Sequence, residues 1–460
     1  PTYPVSEQTR THIADRKVTV LGAARSGMAA AELLSRSGAS VFVSDAVKID
    51  IAKQSRLDAL GIGWEDCGHS EKVYDADFIV VSPGVPDSAP VMQEAFHKAL
   101  PVYSEIELAS WFCRGRILAI SGSNGKTTTT ELTGHIFRES GCRTWVCGNV
   151  GVPFSGVVSD VLERDVVVLE VSSFQLDHTK EFRPDVAVLL NITPDHLDRY
   201  EGDINLYAQS KLRMCRQQSE SDVLVYNADD ERLARFAKGL ENQGPKGYPI
   251  SISQPMDQGG FLENEELVLN INNKKETLMH VDELALRGRH NVYNSLAAAV
   301  AARVMEVRSD VVRESLRTFE GVPHRLEPVR EVEGVRYVND SKATNVNAVW
   351  YALESFKEPI IWIAGGRDKG NDYAALQPLV QNRVRSMITI GEASQALQTE
   401  LGHHVDDSVR AEDLEEAIKL AQLLARPGDI VLLSPACASF DQFDSYEHRG
   451  DVFRQLVSNL

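Results

Sequence analysis

The chain has 460 residues, of which 43% are hydrophobic and 25% are charged, and its formal net charge is −18. This length exceeds what one hydrophobic core usually supports, so we expect about two to four domains, with three as the central value. The acidic balance argues against nucleic acid as a partner, and no apolar run is long enough to insert into a membrane. The first residues lack the pattern of a signal peptide, so we expect a cytoplasmic protein.

Short apolar runs alternate with helical patterns along almost the whole chain. Runs of this kind are typical of parallel strands covered on both faces, so the predicted class is α/β with mostly parallel sheets. The predicted strands are residues 18–21, 41–43, 78–81, 117–120, 166–169, 186–190, 223–225, 360–364, 387–390 and 430–433. Between residues 251 and 280 alternation predicts an antiparallel ribbon with turns at Gly259-Gly260 and Asn272-Asn273.

A glycine-rich turn follows the first predicted strand. It runs from Gly22 to Gly27, close to the dinucleotide-binding pattern, and Asp45 follows the next strand, where such proteins bind a ribose. Ala24 replaces the middle glycine, which normally lets a pyrophosphate approach the backbone. The turn therefore indicates either a nucleotide diphosphate other than NAD or a purely structural connection between strand and helix.

A second glycine-rich turn points to a nucleoside triphosphate. The run from Ser121 to Thr130 follows a predicted strand and leads into a predicted helix. Its glycines can turn backbone N–H groups toward a phosphate, Lys126 can reach the outer phosphates, and Thr127 can hold Mg²⁺. The general phosphate-loop pattern has glycine where this chain has Ile120, so we interpret the run as a shorter variant. It predicts binding of ATP or GTP.

Two later predicted strands end in polar residues. Glu170 closes a buried strand, and its carboxylate would complete a Mg²⁺ site with Thr127. The alternative for Glu170 is a solvated strand end. The run from Asn191 to Tyr200, which contains His196, either contributes to the same site or caps a helix.

Polar loops also follow three strands in the last third of the chain. These loops are residues 338–345, 365–370 and 434–440. Each is an ordinary loop when taken alone. Because the carboxyl ends of parallel strands meet at one edge of a sheet, we expect the three loops to converge on a crevice.

Together these motifs resemble those of the Mur ligase family, whose members form amide bonds in peptidoglycan precursor synthesis. The similar runs are residues 122–128, 148–151, 170–176, 195–199, 290–294, 323–325 and 340–345. The last of these runs, together with residues 434–440, is most similar to the member of the family that adds D-glutamate. The resemblance extends over essentially the whole chain.

The resemblance implies three domains and a reaction. Residues 1–104 would form a Rossmann-like domain that binds a UDP-linked substrate, and residues 105–321 a central phosphate-loop ATPase domain. Residues 322–460 would form a Rossmann-like domain that binds the amino acid and closes over the site. The implied reaction joins D-glutamate to UDP-N-acetylmuramoyl-L-alanine through an acyl phosphate and releases ADP and phosphate. The implied cofactors are ATP and two Mg²⁺ ions, and we expect a monomer.

The resemblance also assigns roles to individual residues. The implied catalytic residues are Lys126, Glu170, His196, Lys211 and Lys342. The implied nucleotide contacts are Gly122, Ser123, Asn124, Gly125, Lys126, Thr127, Thr128, Asn291, Asn294, Arg325, Asp340 and Lys342. The implied metal ligands are Thr127, Glu170, His196 and Lys211. Lys211 would act as a carbamate formed with CO₂.

The two joined substrates would have separate contact sets. The UDP-linked substrate would contact Arg25, Ser26, Asp45, Ser82, Asn149, Gln175 and His196. D-glutamate would contact Thr344, Lys369, Ser439, Phe440 and Tyr446. Ala46 stands where relatives often carry a hydroxyl group, and Tyr446 stands where phenylalanine also occurs. Without the resemblance, Lys211 would be interpreted as a charge on a helix surface.

Other functions are compatible with parts of the sequence. A nicotinamide-dependent oxidoreductase would use the turn at Gly22 but would leave the phosphate loop and Glu170 without a role. A nucleotide-controlled binding protein would hydrolyse ATP without joining two substrates, and it would release phosphate without an amino acid. A sister ligase or a folylpolyglutamate synthetase would differ in the amino acid that it accepts.

Overall fold

The computed structural model describes residues 13–149, 151–194, 200–368 and 370–460. The chain divides into two compact units, one formed by residues up to 283 with 293–317 and the other by 284–292 with 318–460. Within the described residues, three sheets form the framework. The predicted α/β class is confirmed, whereas the domain boundaries after residues 104 and 321 stay predictions. No helix in the described part of the chain is long and apolar enough to cross a membrane.

The first sheet is parallel and belongs to the first unit. Its strands are β1 (Lys17–Leu21), β2 (Ser40–Ser44), β3 (Gly63–Glu65), β4 (Phe78–Val81) and β5 (Val102–Ser104). Its helices are α1 (Arg25–Arg36), α2 (Ile51–Ala59), α3 (Pro90–His97) and α4 (Glu105–Ser110). The strand order is β3-β2-β1-β4-β5, so the turn that follows β1 lies at the carboxyl edge between β2 and β4.

The second sheet, also in the first unit, contains the phosphate loop. Its strands are β6 (Arg116–Ser121), β7 (Thr144–Gly148), β8 (Val166–Glu170), β9 (Val186–Leu189), β10 (Val223–Asn227), β11 (Lys246–Ser251), β12 (Gly259–Glu263), β13 (Glu266–Ile271) and β14 (Lys274–His280). The order is β14-β13-β12-β11-β10-β9-β6-β8-β7. The described residues add α5 (Lys126–Glu139), α6 (Phe154–Val157), α7 (Ser173–Asp177), α8 (Ile204–Leu212), α9 (Glu231–Gly239), α10 (Arg289–Val304) and α11 (Ser309–Thr318). The loop after β6 therefore lies between the ends of β8 and β9.

The predicted antiparallel ribbon is present as β12, β13 and β14, and it extends the second sheet. Its turn at Asn272-Asn273 is confirmed, since both residues have positive φ values of 52° and 61°. The predicted turn at Gly259-Gly260 is wrong, because these glycines begin β12. A Cβ on Gly259 would lie 1.9 Å from the carbonyl oxygen of Pro249, so glycine allows the close approach of β11 and β12.

The third sheet belongs to the second unit. Its strands are β15 (Glu327–Val332), β16 (Val335–Asn339), β17 (Ile360–Gly365), β18 (Val384–Ile390), β19 (Asp407–Arg410) and β20 (Ile430–Leu433), in the order β15-β16-β20-β17-β18-β19. Its helices are α12 (Val346–Glu354), α13 (Gln377–Arg383), α14 (Ser394–Leu401), α15 (Leu414–Leu424) and α16 (Tyr446–Ser458). Only the edge pairing of β15 with β16 is antiparallel within the described part of this sheet. The loops after β16, β17 and β20 share the carboxyl edge of adjacent strands.

Two buried glutamates of α4 fix the connection between the first two sheets. The Glu107 carboxylate accepts hydrogen bonds from the backbone N–H groups of residues 180–182 and from the Trp111 indole. The Glu105 carboxylate accepts from the backbone N–H of Ser155 through one oxygen, while its other oxygen is buried without a hydrogen-bond partner. Burial raises the pKa of the Glu105 carboxyl from an ordinary 4.5 to about 7.

We expect Glu105 to make the stability of the first unit depend on pH. Because its pKa is about 7 in the folded chain and 4.5 ordinarily, the folded state binds the proton more tightly. This stabilisation is complete below pH 4.5 and is lost as the pH rises through 7. The free energy of unfolding of Glu105→Gln, relative to the unchanged protein, should therefore rise by about 2 to 3 kcal/mol from about pH 5 to pH 8. Urea titrations at each pH measure this difference.

The exposed Glu163 provides a matched control for this experiment. Glu163→Gln makes the same chemical change on the surface, so its effect on unfolding should be nearly independent of pH. A Glu105→Gln curve parallel to that of the unchanged protein would show that the Glu105 carboxyl titrates normally in the folded chain.

Candidate active site

The phosphate loop has the backbone geometry that the sequence predicts. Residues Gly122–Gly125 connect β6 to α5, and Gly125 precedes the helix with a left-handed φ of 83°. A Cβ at Gly125 would lie 2.4 Å from the side-chain oxygen of Asn294. Both conformation and space therefore require glycine at this position. The N–H groups at the start of α5, including those of Thr127 and Thr128, provide the positive end of the helix dipole.

A second loop braces the phosphate loop from the end of β9. The Ser123 hydroxyl donates to the carbonyl oxygen of Thr193 and accepts from its N–H group, each at 2.9 Å. The Asn191 side chain accepts from the N–H of Asn124 at 2.9 Å and donates to its carbonyl oxygen at 3.0 Å. For Asn191 and Thr193, the interpretation as members of the site is thus favoured over helix capping. His196 lies outside the described residues.

Two lysines meet at one carbonyl oxygen of the phosphate loop. The Lys126 ammonium donates to the carbonyl oxygens of Gly122 at 2.9 Å and of Ser123 at 3.1 Å. The Lys211 ammonium donates to the same oxygen of Gly122 at 3.0 Å. Lys211 lies on α8 with only 1% of its surface exposed, so its interpretation as a helix-surface charge is wrong. Two lysine side chains therefore converge on the phosphate loop, where the sequence alone indicates one.

Glu170 lies at the carboxyl edge of β8, next to the start of the phosphate loop. It is 2% exposed and pairs with Ile120 of β6. The side-chain amide of Asn149 donates to its carboxylate at 3.2 Å, and the backbone N–H of Asn149 donates to its carbonyl oxygen at 2.9 Å. The structure thus brings together Asn149 and Glu170, which the resemblance assigns to different ligands.

The oxygen donors at this edge fit Mg²⁺. Thr127 lies in the first turn of α5 beside the phosphate loop, Glu170 ends β8, and both are largely buried. Hydroxyl and carboxylate oxygens, completed by phosphate oxygens and water, are the ligands that Mg²⁺ prefers. Among the described residues no three His, Cys, Asp or Glu side chains lie together as a metal cluster.

Arg25, Ser26 and Asp45, three of the predicted contacts with the UDP-linked substrate, lie at the carboxyl edge of the first sheet. The Asp45 carboxylate accepts from the N–H groups of Ala23 at 2.6 Å and Val47 at 3.0 Å. Arg25 at the start of α1 donates to the carbonyl oxygen of Gly151 at 3.3 Å, and Ser26 follows it on the same helix. Asp45 therefore holds the glycine turn in place. Its carboxylate takes up the backbone N–H of Ala23, which would otherwise be free to bind an anionic ligand.

A cleft of about 760 Å³ separates the end of β4 from α7 and α8. Ser82 and Gln175, both predicted substrate contacts, line it. Gln175 forms a capping box with Ser172 at the start of α7, which fixes the direction of its side chain. The cleft is also lined by His178 and Arg213, which the sequence did not indicate. Its volume suits a substrate larger than an amino acid.

In the second unit, Asp340 is completely buried at the end of β16. Its carboxylate accepts from the Ser434 hydroxyl at 2.8 Å and lies 3.6 Å from the Arg325 guanidinium. Burial raises the pKa of Asp340 to about 6, and Arg325 and Ser434 oppose this rise. The predicted nucleotide contacts Asp340 and Arg325 are therefore in direct electrostatic contact. Asn291, also in this unit, donates to the carbonyl oxygen of Arg287 at 2.8 Å.

The predicted amino-acid contacts also surround this carboxyl edge. The Lys342 ammonium donates to the Tyr446 hydroxyl at 3.0 Å, which joins two residues that the resemblance predicted separately. The N–H of Thr344 donates to the carbonyl oxygen of Lys342 at 2.9 Å. Ser439 is buried, whereas Phe440 next to it is 61% exposed. Lys369 lies outside the described residues.

Sequence reasoning missed a fully buried arginine behind these loops. Arg449 on α16 donates to the hydroxyl and carbonyl oxygens of Ser341, each at 2.9 Å, and to the carbonyl oxygen of Cys437 at 3.2 Å. The residue is 0% exposed. A single charged residue on a terminal helix carries no sequence signal of burial, so only its position in the fold reveals this role.

Family models match the chain in three segments. Residues 17–91 match the MurD N-terminal domain, and residues 120–302 match the Mur ligase middle domain. Residues 324–437 match the glutamate ligase domain of Mur ligases. The segments follow one another in the order of the three sheets.

Whole-chain comparisons agree with these matches. The UDP-N-acetylmuramoylalanine–D-glutamate ligase of Salinibacter ruber is 54% identical over 96% of this chain and 98% of its own. The ligase of the same name from Chloroherpeton thalassium is 46% identical over 98% of this chain and 100% of its own. The crystal structure of MurF ligase from Thermotoga maritima in complex with ADP has a TM-score of 0.62 at 17% identity, covers 92% of this chain and 96% of its own, and shares the fold. The chain therefore belongs to the Mur ligase family, among the UDP-N-acetylmuramoylalanine–D-glutamate ligases.

Proposed function

We propose that this protein joins D-glutamate to UDP-N-acetylmuramoyl-L-alanine and uses ATP to do so. The observation that carries the proposal is the pair of lysines, Lys126 and Lys211, on the carbonyl oxygen of Gly122. A phosphate loop alone fits any nucleotide hydrolase, but a buried second lysine beside it matches the resemblance to amide ligases. The 54% identity to a relative named for this reaction supports the choice of substrates.

The proposed chemistry follows from the weakness of a carboxylate as an electrophile. Transfer of the terminal phosphate of ATP to the carboxylate of the UDP-linked substrate gives an acyl phosphate and releases ADP. The neutral amino group of D-glutamate then attacks the carbonyl carbon of the acyl phosphate and loses a proton. The C–N bond forms, the bond from carbon to the phosphate oxygen breaks, and phosphate leaves. Lys126 and the N-terminus of α5 would stabilise the charge on the transferred phosphate.

We further propose two Mg²⁺ ions and a carbamate on Lys211. Thr127, Glu170, His196 and the carbamate would hold the ions, which would supply charge neutralisation during phosphoryl transfer. The burial of Lys211 favours the carbamate, because burial penalises an ammonium group, and carbamylation exchanges it for an oxygen ligand. The neighbouring Tyr207 ring lies 4.5 Å from the Lys211 nitrogen and lines the same space.

The substrate contacts also remain proposals. Residues 1–104 would bind the UDP-linked substrate, 105–321 would bind ATP, and 322–460 would bind D-glutamate. The UDP-linked substrate would contact Arg25, Ser26, Asp45, Ser82, Asn149, Gln175 and His196, and D-glutamate would contact Thr344, Lys369, Ser439, Phe440 and Tyr446. The nucleotide would contact the phosphate loop, Asn291, Asn294, Arg325, Asp340 and Lys342. We also propose that the protein acts as a monomer in the cytoplasm, as the resemblance implies.

Phosphate release tests the proposed reaction. We expect release from Mg·ATP only when UDP-N-acetylmuramoyl-L-alanine and D-glutamate are both present, with L-glutamate giving less than about 1% of the rate. Mass spectrometry of the product should show one added glutamate. Release without an amino acid would instead indicate an ATP-hydrolysing switch, and turnover with another amino acid or a folate would indicate a sister ligase or a folylpolyglutamate synthetase. Reduction of a bound nicotinamide would indicate an oxidoreductase.

A further inference from the structure

A buried guanidinium connects two of the loops at the carboxyl edge of the third sheet. The Nε atom of Arg449 donates to the Ser341 hydroxyl, and its Nη2 atom donates to the Ser341 carbonyl oxygen, each at 2.9 Å. Both Nη atoms donate to the Cys437 carbonyl oxygen at 3.2 Å. Ser341 belongs to the loop after β16, and Cys437 belongs to the loop after β20. One planar side chain thus fixes the distance between these loops.

The acceptors are unusual for a buried charge. Each hydrogen bond that the structure shows from Arg449 ends on a carbonyl or hydroxyl oxygen rather than on a carboxylate. Burial lowers the pKa of Arg449 to about 10, so the side chain is still charged at neutral pH. The Asp441 carboxylate attracts this guanidinium electrostatically but accepts none of these hydrogen bonds, so the positive charge of Arg449 faces neutral oxygen atoms of the two loops.

Both loops carry residues of the proposed amino-acid site. Thr344 lies three positions after Ser341, and Ser439 lies two positions after Cys437. Tyr446 lies one helical turn before Arg449, its carbonyl oxygen accepts from the Ser341 hydroxyl at 2.8 Å, and its own hydroxyl accepts from Lys342. Arg449 therefore contacts the backbone segments that hold these side chains, although it is itself buried.

We propose that Arg449 is a positioning residue for the amino-acid substrate, which sets the spacing of Thr344, Tyr446 and Ser439 and adds a positive field behind them. The inference rests on the proposed function. An amino acid with two carboxylates gains from such a field, and its orientation depends on the spacing of the two loops. Lysine cannot replace this residue, because an ammonium lacks the planar arrangement of donors that reaches both loops.

The test separates affinity for the amino acid from stability. In Arg449→Lys we expect the KM for D-glutamate to rise by about 10-fold to 100-fold, while the KM for the UDP-linked substrate changes by less than about 2-fold. Ser341→Ala removes one acceptor and keeps the carbonyl oxygen, so its KM for D-glutamate should rise by about 3-fold. The control is Arg330→Lys. Arg330 is exposed, and it donates at 2.8 Å to the carbonyl oxygen of Ser458, the last residue of the helix α16 that carries Arg449.

The outcomes distinguish this inference from the proposed function. If D-glutamate is not the substrate, the unchanged protein itself will show no dependence on it. If the unchanged protein uses D-glutamate but folded Arg449→Lys and Ser341→Ala keep its KM, the positioning role is wrong. Should Arg449→Lys fail to fold, the Ser341→Ala result decides alone, because that side chain is smaller and its loss leaves the guanidinium in place.

Discussion

Replacement of Lys126 by alanine should lower the rate of phosphate release by about 100-fold to 1,000-fold. The ammonium of Lys126 rests on the carbonyl oxygens of Gly122 and Ser123, so it lies at the mouth of the loop where a terminal phosphate would bind. These neutral acceptors hold the side chain in place and give way to a phosphate, which is a stronger acceptor. Phosphate release under saturating substrates measures the loss of kcat.

A second variant, Lys126→Arg, separates the effect on ATP binding from the effect on the rate of phosphate release. Lys126→Arg keeps the charge but not the shape of the ammonium, so it should bind ATP with nearly normal affinity and still lose most of the rate. The unfolding temperature should stay close to that of the unchanged protein in both variants, because Lys126 is only partly buried and its hydrogen bonds in the described structure end on backbone carbonyl oxygens of its own loop. If Lys126→Ala retains more than about a tenth of the rate, the phosphate loop does not serve the proposed reaction.

Replacement of Lys211 by alanine should also abolish most activity, for a different reason. Lys211 is buried, so its replacement by alanine leaves an internal cavity next to the carbonyl oxygen of Gly122. If the active form is a carbamate, a small carboxylate such as formate or acetate can enter this space and supply the missing oxygens. We expect a loss of about 100-fold or more, and a regain of about 10-fold with added acetate.

Lys126→Ala is the matched control for this regain. It removes a lysine from the same carbonyl oxygen, but its proposed role requires a positive charge, so acetate should restore nothing. Removal of CO₂ from the buffer should lower the activity of the unchanged protein. Full activity of Lys211→Ala without any carboxylate would show that Lys211 is a structural lysine, and the proposed carbamate would be wrong.

The sequence predicted the strands well because their signal is local. The run at 166–169 became β8 (Val166–Glu170), and that at 360–364 became β17 (Ile360–Gly365). Apolar runs bounded by turn residues need no knowledge of distant contacts. The prediction of a turn at Gly259-Gly260 was wrong for the opposite reason. The role of Gly259 depends on a carbonyl oxygen of a neighbouring strand, which a local pattern does not reveal.

Only some residues of the candidate site could be predicted, and they were predicted from different kinds of signal. The phosphate loop is visible from its own residues, whereas Lys211 was identified only through the resemblance, since α8 does not indicate which face is buried. Arg449 was missed altogether, because its contacts join three segments that are far apart along the chain. Local patterns reveal where a ligand binds, but they do not reveal buried side chains that hold the binding loops.

The ribbon that widens the second sheet has a consequence for the protein in concentrated solution. Its last strand, β14, begins with Lys274 and Lys275, both exposed, and leaves one flank of the sheet without a further neighbour among the described strands. An open flank of this kind can pair with strands of other molecules, and charged side chains such as that of Lys274 disfavour this pairing. The neighbouring Lys275 pairs with Glu263 on β12 at 3.1 Å. We therefore expect the charged start of β14 to hinder the addition of a strand from a second molecule at this edge.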